Sequence, residues 1–123
     1  MSSFNWFNTE QKAFDLRTKL LTTSSTNTTY TAKTGRPADN FIIDRVIRVT
    51  TASESSMTIT VPNGTYYGQQ LLVIHEVLGG SATVEVDCST GDAGTSLTAA
   101  GGYNRFEYHG DTLGWCLIAS SGT

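Results

Sequence analysis

The chain has 123 residues, with 8 Lys and Arg against 11 Asp and Glu, a formal net charge of −3 and a sequence pI near 5.2. This length fits a single domain. The cationic residues are scattered along the sequence, whereas a nucleic-acid-binding domain concentrates them on one face. The composition therefore argues against a nucleic-acid partner, and its abundance of Ser, Thr and Gly favours strands and turns over helices.

The N-terminus carries no recognisable export or membrane signal. The opening "MSSFNWFNTEQ" has neither a basic start nor an apolar run, and apolar stretches such as residues 71–74 are too short to cross a bilayer. We therefore expect a chain that is neither exported nor inserted into a membrane. In such a chain Cys88 and Cys116 are expected to be reduced thiols packed as small apolar groups, with a disulfide as the alternative if their strands are neighbours.

The first 40 residues differ in character from the rest. "FNWF" (4–7) places three aromatics beside the terminus, and the following segment 8–21 predicts a short helix with Leu16 and Leu20 on one stripe. In "TTSSTNTT" (22–29) every side chain carries a hydroxyl or a carboxamide. Ordering such residues costs about 1–2 kcal/mol each in backbone entropy, with little apolar area to offset it. The segment is therefore expected to stay mobile or to add a strand to another sheet edge.

From residue 41 onward the pattern is that of short strands separated by turns. In "FIIDRVIRV" the apolar residues Phe41, Ile43, Ile47 and Val49 share one face, into which Arg45 intrudes. About seven such strands, spaced near ten residues apart, predict an all-β fold: an antiparallel Greek-key or jelly-roll-like sandwich or a small barrel. We expect an N-terminal arm over residues 1–40, with room for one short helix, and a body over residues 41–123. No internal repeat is evident.

No constellation of residues points to catalysis or metal binding. His75 and Glu76 are adjacent on a strand and therefore face opposite sides. His109 and Asp111 belong to a turn, and a metal would require further ligands that no spacing supplies. Cys88 is in phase with valines, which indicates burial rather than an activated thiolate. We expect no enzyme activity, no metal and no cofactor.

The closing segment "SLTAAGGYNRFEYHGDTLGWCLI" (96–118) has a distinctive form: a short Leu-Thr strand, a Gly turn, an alternating aromatic strand, a Gly-containing turn, then Trp and apolar residues. It resembles the closing hairpins of tailed-bacteriophage virion proteins, although its turn is longer and Cys116 is unusual there. The residues that carry the resemblance are Leu97, Thr98, Gly101, Phe106, Tyr108, Gly110, Gly114, Trp115, Leu117 and Ile118.

The overall plan resembles that of phage capsid cement proteins, which are small, acidic and β-rich. That resemblance implies a homotrimeric decoration subunit on the outer capsid surface of the virion, made in the host cytoplasm and bound to the major capsid protein through its arms. The residues expected to form the docking arm are Phe4, Trp6, Phe7, Phe14, Leu20, Leu21, Thr28 and Tyr30. The residues expected at subunit contacts are His75, Tyr108 and Trp115.

Two alternatives accompany this hypothesis. The aromatic residues of the arm could fold back onto their own domain instead of docking. The chain could also be a receptor- or glycan-binding domain of a tail fibre, which would use exposed aromatic rings as a stacking platform. The aromatic residues available for such a platform are Tyr66, Tyr67, Tyr103, Tyr108 and Trp115.

Overall fold

A computed structural model describes residues 16–36 and 42–122 of the chain. These residues form eight strands and one short helix, α1 (Gly110–Leu113). The strands are β1 (Leu16–Thr22), β2 (Thr29–Thr31), β3 (Ile43–Thr50), β4 (Met57–Val61), β5 (Gln70–Val77), β6 (Val84–Cys88), β7 (Gly102–Tyr108) and β8 (Trp115–Ser121).

The strands form two sheets that do not close into a barrel. One sheet has the order β1-β3-β5-β7-β8, and the other has the order β2-β4-β6. The predicted all-β class is confirmed. The antiparallel Greek-key or jelly-roll order is not observed among the described strands, since only β5–β7 and β7–β8 are antiparallel and the other four pairs are parallel.

The parallel pairs arise because the chain winds through both sheets repeatedly. β1, β3 and β5 begin 27 residues apart, and each is followed by one strand of the smaller sheet. The described chain is therefore a short β-solenoid of three coils: β1 with β2, β3 with β4, and β5 with β6. The antiparallel hairpin of β7 and β8 follows the third coil, and β7 pairs with the edge of β5 that the coils leave open.

The core lies between the two sheets and is built from stacked apolar columns. Met57 pairs with Val84 and Ile59 with Val86 across β4 and β6, and all four side chains are buried. Each fully buried side chain of this kind stabilises the fold by roughly 1.5–3 kcal/mol. Stacking like side chains coil upon coil thus gives a short chain a continuous core.

Buried threonines connect the coils at one corner of the solenoid. The hydroxyl of Thr23 accepts a hydrogen bond from the backbone N–H of Ala52 (2.7 Å), and the hydroxyl of Thr51 accepts one from that of Gly79 (2.9 Å). The two threonines occupy equivalent positions in successive coils, and both are buried. They satisfy loop N–H groups that the strand ladders do not reach.

Part of the predicted N-terminal arm belongs to the body. β1 pairs with β3 and β2 pairs with β4, so residues 16–36 form the first coil of the fold. The predicted boundary at residue 40 is wrong in this respect. The predicted helix over 8–21 is wrong for its described part, which is strand β1, and residues 8–15 lie outside the described residues.

The polar segment 22–29 gains order through backbone pairing, as its composition suggested. Thr29–Thr31 pair with Thr58–Thr60 of β4, and the carbonyl of Thr28 accepts the N–H of Thr58 at 2.9 Å. The sheet edge that orders it is in its own chain.

Candidate docking surfaces

The residues expected in the docking arm divide into three groups. Phe4, Trp6, Phe7 and Phe14 lie outside the described residues. Leu20 projects from the outer face of β1 with 57% of its surface exposed, so it is available to a partner. Leu21, Thr28 and Tyr30 serve the chain's own fold instead: Leu21 is in the core, Thr28 bonds β4, and Tyr30 packs against the core. The docking prediction is wrong for Leu21, whose side chain is buried, and stays a prediction for Thr28 and Tyr30, which are partly exposed.

A buried carboxylate ties the first coil to the second. The side chain of Asp44 is fully buried and accepts hydrogen bonds from Arg17, from the hydroxyl of Tyr30 (2.7 Å) and from the backbone N–H of Lys33 (2.8 Å). The hydrogen bond to Asp44 raises the pKa of Arg17, while burial, together with Asp44, raises the pKa of Tyr30. This cluster, which we call the Asp44 cluster, holds β1, β2 and β3 together.

The residues expected at subunit contacts lie inside the monomer. His75 is 0% exposed, Tyr108 2% and Trp115 1%. The Tyr108 and Trp115 rings pack with centroids 5.0 Å apart, and the Trp115 indole N–H donates to the carbonyl of Pro62 at 2.9 Å. The subunit-contact prediction is therefore wrong, because these side chains face the core and leave no surface for a second subunit.

The ring nitrogens of His75 are both engaged in structural hydrogen bonds. Nδ1 lies 2.9 Å from the carbonyl oxygen of Leu97, and Nε2 lies 2.8 Å from the hydroxyl of Thr51. Since a carbonyl only accepts, Nδ1 carries the proton and Nε2 accepts from the threonine in the neutral ring. A histidine held in this way, away from solvent, has no role as a base for an external substrate.

Cys88 is not activated as a nucleophile, and the described residues hold no metal-ligand cluster. Cys88 and Cys116 are both free thiols, and burial, with the nearby Asp87 and Asp92 carboxylates, raises the pKa of Cys88 to about 12. Its thiolate is scarce near neutral pH, which is the reverse of what a nucleophile requires. Over 16–36 and 42–122, no group of three or more His, Cys, Asp or Glu side chains is placed to hold a metal ion.

The aromatic platform of the glycan-binding alternative is not assembled. Tyr108 and Trp115 are core residues, whereas Tyr66 and Tyr67 are exposed on the loop before β5. Tyr67 packs against His109 with ring centroids 5.1 Å apart. With Tyr108 and Trp115 buried, the five rings do not form one exposed platform.

The first coil presents strand edges at one end of the solenoid. Among the described strands, β1 has β3 as its only neighbour and β2 has only β4. Leu16 and Leu20 are exposed on β1. We call the outward side of β1 and β2 the first-coil edge. Strand edges of this kind are pairing sites for another chain unless they are covered.

A shallow groove of about 380 Å³ crosses the outer face of the five-stranded sheet. Its lining includes an aliphatic floor of Val46 and Leu72, flanked by Arg45 and Arg105, with Gln70 beside them. A second hollow of about 200 Å³ shares Arg45 and Gln70 and includes Tyr66. We call the first of these hollows the arginine groove. It was not predicted from the sequence.

The two arginines of the groove differ from the other three in the chain. Arg17, Arg36 and Arg48 each form an ion pair with a carboxylate. Arg45 and Arg105 form no hydrogen bond or ion pair with any side chain of the described segments. Both guanidinium groups are therefore available to a ligand.

A β-bulge explains the orientation of Arg45. In the β1–β3 register Arg17 pairs with Asp44 and Thr18 pairs with Val46, so Arg45 is the extra residue on β3. Ile43 and Ile47 remain buried on either side of it, while Arg45 is exposed. The bulge thus places Arg45 outside the apolar face formed by Ile43 and Ile47, although all three share one parity in the sequence. The only sequence signal was the interrupted alternation at that position.

No protein-family model matches the chain, and the search of curated proteins returns no match. No helix of sufficient length and apolar character to span a membrane occurs within the described segments.

Proposed function

We propose that this chain is a non-enzymatic virion structural protein, a capsid decoration subunit that binds and stabilises the shell of the major capsid protein from outside. The resemblance of its closing hairpin to those of phage virion proteins supports this assignment. The observation that carries the docking mode is the first-coil edge, because a terminal strand with no further neighbour among the described strands offers its backbone to a partner.

The five-stranded sheet has an edge strand at each end, β1 and β8, and the two exposed leucines of β1 favour docking there. The β7–β8 hairpin follows the last coil and turns the sheet antiparallel. At the other end, β1 has no neighbour on its outer side among the described strands. The backbone N–H and C=O groups of that edge, together with the exposed Leu20, can therefore contact a partner. A strand of the major capsid protein added there would gain main-chain hydrogen bonds, with exposed leucines supplying apolar contact.

The segment proposed to dock is therefore shorter than the predicted arm of residues 1–40. Since residues 16–36 belong to the first coil, residues 1–15, with Phe4, Trp6, Phe7 and Phe14, are the remaining candidates for an arm. Each aromatic buried against the shell would contribute roughly 1.5–3 kcal/mol. In a homotrimer, three such arms would act together through their effective concentration.

A pair of matched substitutions tests the docking mode. Leu20→Glu places a charge on β1, and Ile118→Glu places the same charge on β8, the opposite edge strand of the same sheet. Leu20 is 57% exposed and Ile118 48%, so neither change should unfold the protein. Binding to shells assembled without this protein is measured by co-sedimentation.

The proposal expects Leu20→Glu to weaken shell binding by about tenfold or more, since an unpaired charge would be buried in the contact. Ile118→Glu should bind as the unchanged chain does. Equal binding by both variants would refute docking at the first-coil edge. Absence of binding by the unchanged chain would refute the decoration function itself.

A further inference from the structure

We propose that the arginine groove is a binding site for a carboxylate-bearing saccharide, such as a chain of uronic acid residues. The inference does not depend on the capsid function, because the groove lies on the outer face of the sheet and its residues have no part in the first-coil contact proposed above, apart from Thr18 on its rim.

The charge of the groove identifies the ligand as an anion. Arg45 and Arg105 are the two arginines without a carboxylate partner among the described residues, and they line one groove. A guanidinium group binds a carboxylate through two parallel hydrogen bonds, which gives both affinity and orientation. Glu107, the cross-strand neighbour of Gln70, has its own partner in His109, at 2.9 Å.

The floor of the groove fits a sugar ring better than a bare inorganic anion. Val46 and Leu72 are direct cross-strand partners, and Leu72 is in turn the partner of Arg105. This row gives an aliphatic surface next to a guanidinium group, as the apolar face of a pyranose with a carboxylate at its rim would require. Gln70 and Thr18 supply an amide and a hydroxyl for the sugar hydroxyls. Inorganic phosphate has no apolar surface that could pack against this aliphatic floor.

The position of the groove argues against a peptide. Its floor lies on β3 and β5, interior strands with a neighbour on each side, and only Thr18 on the rim belongs to the edge strand β1. An extended peptide is recognised chiefly through its backbone at a sheet edge, and here it would find side chains only. A saccharide makes its hydrogen bonds to side chains, which this face of the sheet supplies.

The experiment is a calorimetric titration of the full chain with trigalacturonate, with neutral maltotriose as the uncharged probe. The test variants are Arg45→Gln and Arg105→Gln. The matched control is Arg48→Gln, which removes the same charge from the same sheet but outside the groove lining. Circular dichroism establishes that each variant is folded.

We expect trigalacturonate to bind and maltotriose not to bind. Each groove variant should weaken binding by about tenfold or more, as loss of a charge-assisted contact implies, while Arg48→Gln should change it little. Binding unaffected by both groove variants would overturn the site. Equal binding of inorganic phosphate or of hexaglutamate would overturn the saccharide assignment. Leu20→Glu should bind trigalacturonate normally, so failure of the docking proposal and failure of this one are separable.

Discussion

At the scale of single residues, polar groups inside this fold serve structure. The hydrogen bonds of His75 join β5 to the corner threonine of the second coil and to the segment before β7. Asp44 unites three strands in the same manner. Buried polar groups that find all their partners specify one arrangement of the chain, whereas the same groups without partners would destabilise it.

Replacement of His75 by Leu should destabilise the protein without altering its oligomeric state. The change removes two buried hydrogen bonds, to the Leu97 carbonyl and to the Thr51 hydroxyl, at about 0.5–1.5 kcal/mol each, although both groups keep a backbone N–H partner. His75→Gln, which retains a donor and an acceptor, should lose less. Urea unfolding measures both, and unchanged stability in His75→Leu together with a changed solution mass would restore the subunit-contact hypothesis.

Asp111 should make stability sensitive to acid. Hydrogen bonds from Tyr108 and Arg36 lower the pKa of this carboxyl below its usual 3.8. A lowered pKa in the folded state means that the stabilisation is present above pH 3.8 and is lost as the pH falls through the folded value. The unchanged chain should therefore be more stable than Asp111→Asn at pH 6, and the difference should shrink towards pH 2. A gap in unfolding free energy that is constant across this range would contradict the assignment.

Much of the residue scale could be predicted, and the exceptions have clear causes. The burial of Cys88 followed from its alternation with valines. The position of Arg45 did not, because a bulge shifts the alternation by one residue and only the partner strand reveals it. The residues of the arginine groove come from strands far apart in the sequence, so no local sequence pattern predicts that they lie together.

At the scale of elements, the closing hairpin was predicted and β1 was not. The hairpin is local: β7 and β8 are joined by a short turn, and alternation together with glycines identifies it. In β1, the spacing of Leu16 and Leu20 by four residues suits a helix, yet an even spacing also places both on one face of a strand. Pairing with β3 decided between the two.

The glycine between α1 and β8 is a requirement of this hairpin. Gly114 has φ 72° and ψ −148°, a region open to little but glycine, and an added Cβ would lie 2.2 Å from the carbonyl oxygen of Thr90. Gly110 also has a positive φ, of 88°, but a Cβ there would meet nothing within 4 Å. Gly110 therefore provides a matched control.

Gly114→Ala should be the more destabilising of the two substitutions. Gly110→Ala carries only the backbone penalty of a left-handed residue, about 1–2 kcal/mol. Gly114→Ala adds a clash with backbone that cannot move aside cheaply. Thermal unfolding of the two variants in parallel provides the comparison, and equal losses would mean that the contact with Thr90 relaxes.

At the scale of the whole molecule, the fold is a stack of coils whose repeat is geometric. Lys19, Ile47 and Val73 share one column, so equivalent positions do not share an identity. The repeat was therefore invisible to a search for similar residues. Weak recurring signals are a pair of threonines, 22–23 and 50–51, at the corner of successive coils, and a glycine after each coil at 35, 64 and 91. Parallel strands that begin 27 residues apart are not joined by a short turn, so the sequence carries no hairpin signal for their pairing.

Truncation tests the extent of the solenoid. Deleting residues 1–15 removes no described strand and should leave a cooperatively folded protein of nearly unchanged stability. Deleting residues 1–36 removes β1 and β2, withdraws Leu21 and Ala32 from the core and uncovers β3, so it should sharply lower the melting temperature. Equal melting temperatures of the full chain and the 1–36 deletion would instead restore the whole segment as an arm outside the body.

The most direct test of the central claim is a reconstruction by electron microscopy of a particle that carries this protein. The account predicts density for the solenoid on the outer surface of the head shell, with β1 and β2 towards the major capsid protein and the β7–β8 hairpin away from it. Density at the tail, or a subunit seated on the shell by the β7–β8 hairpin, would contradict it.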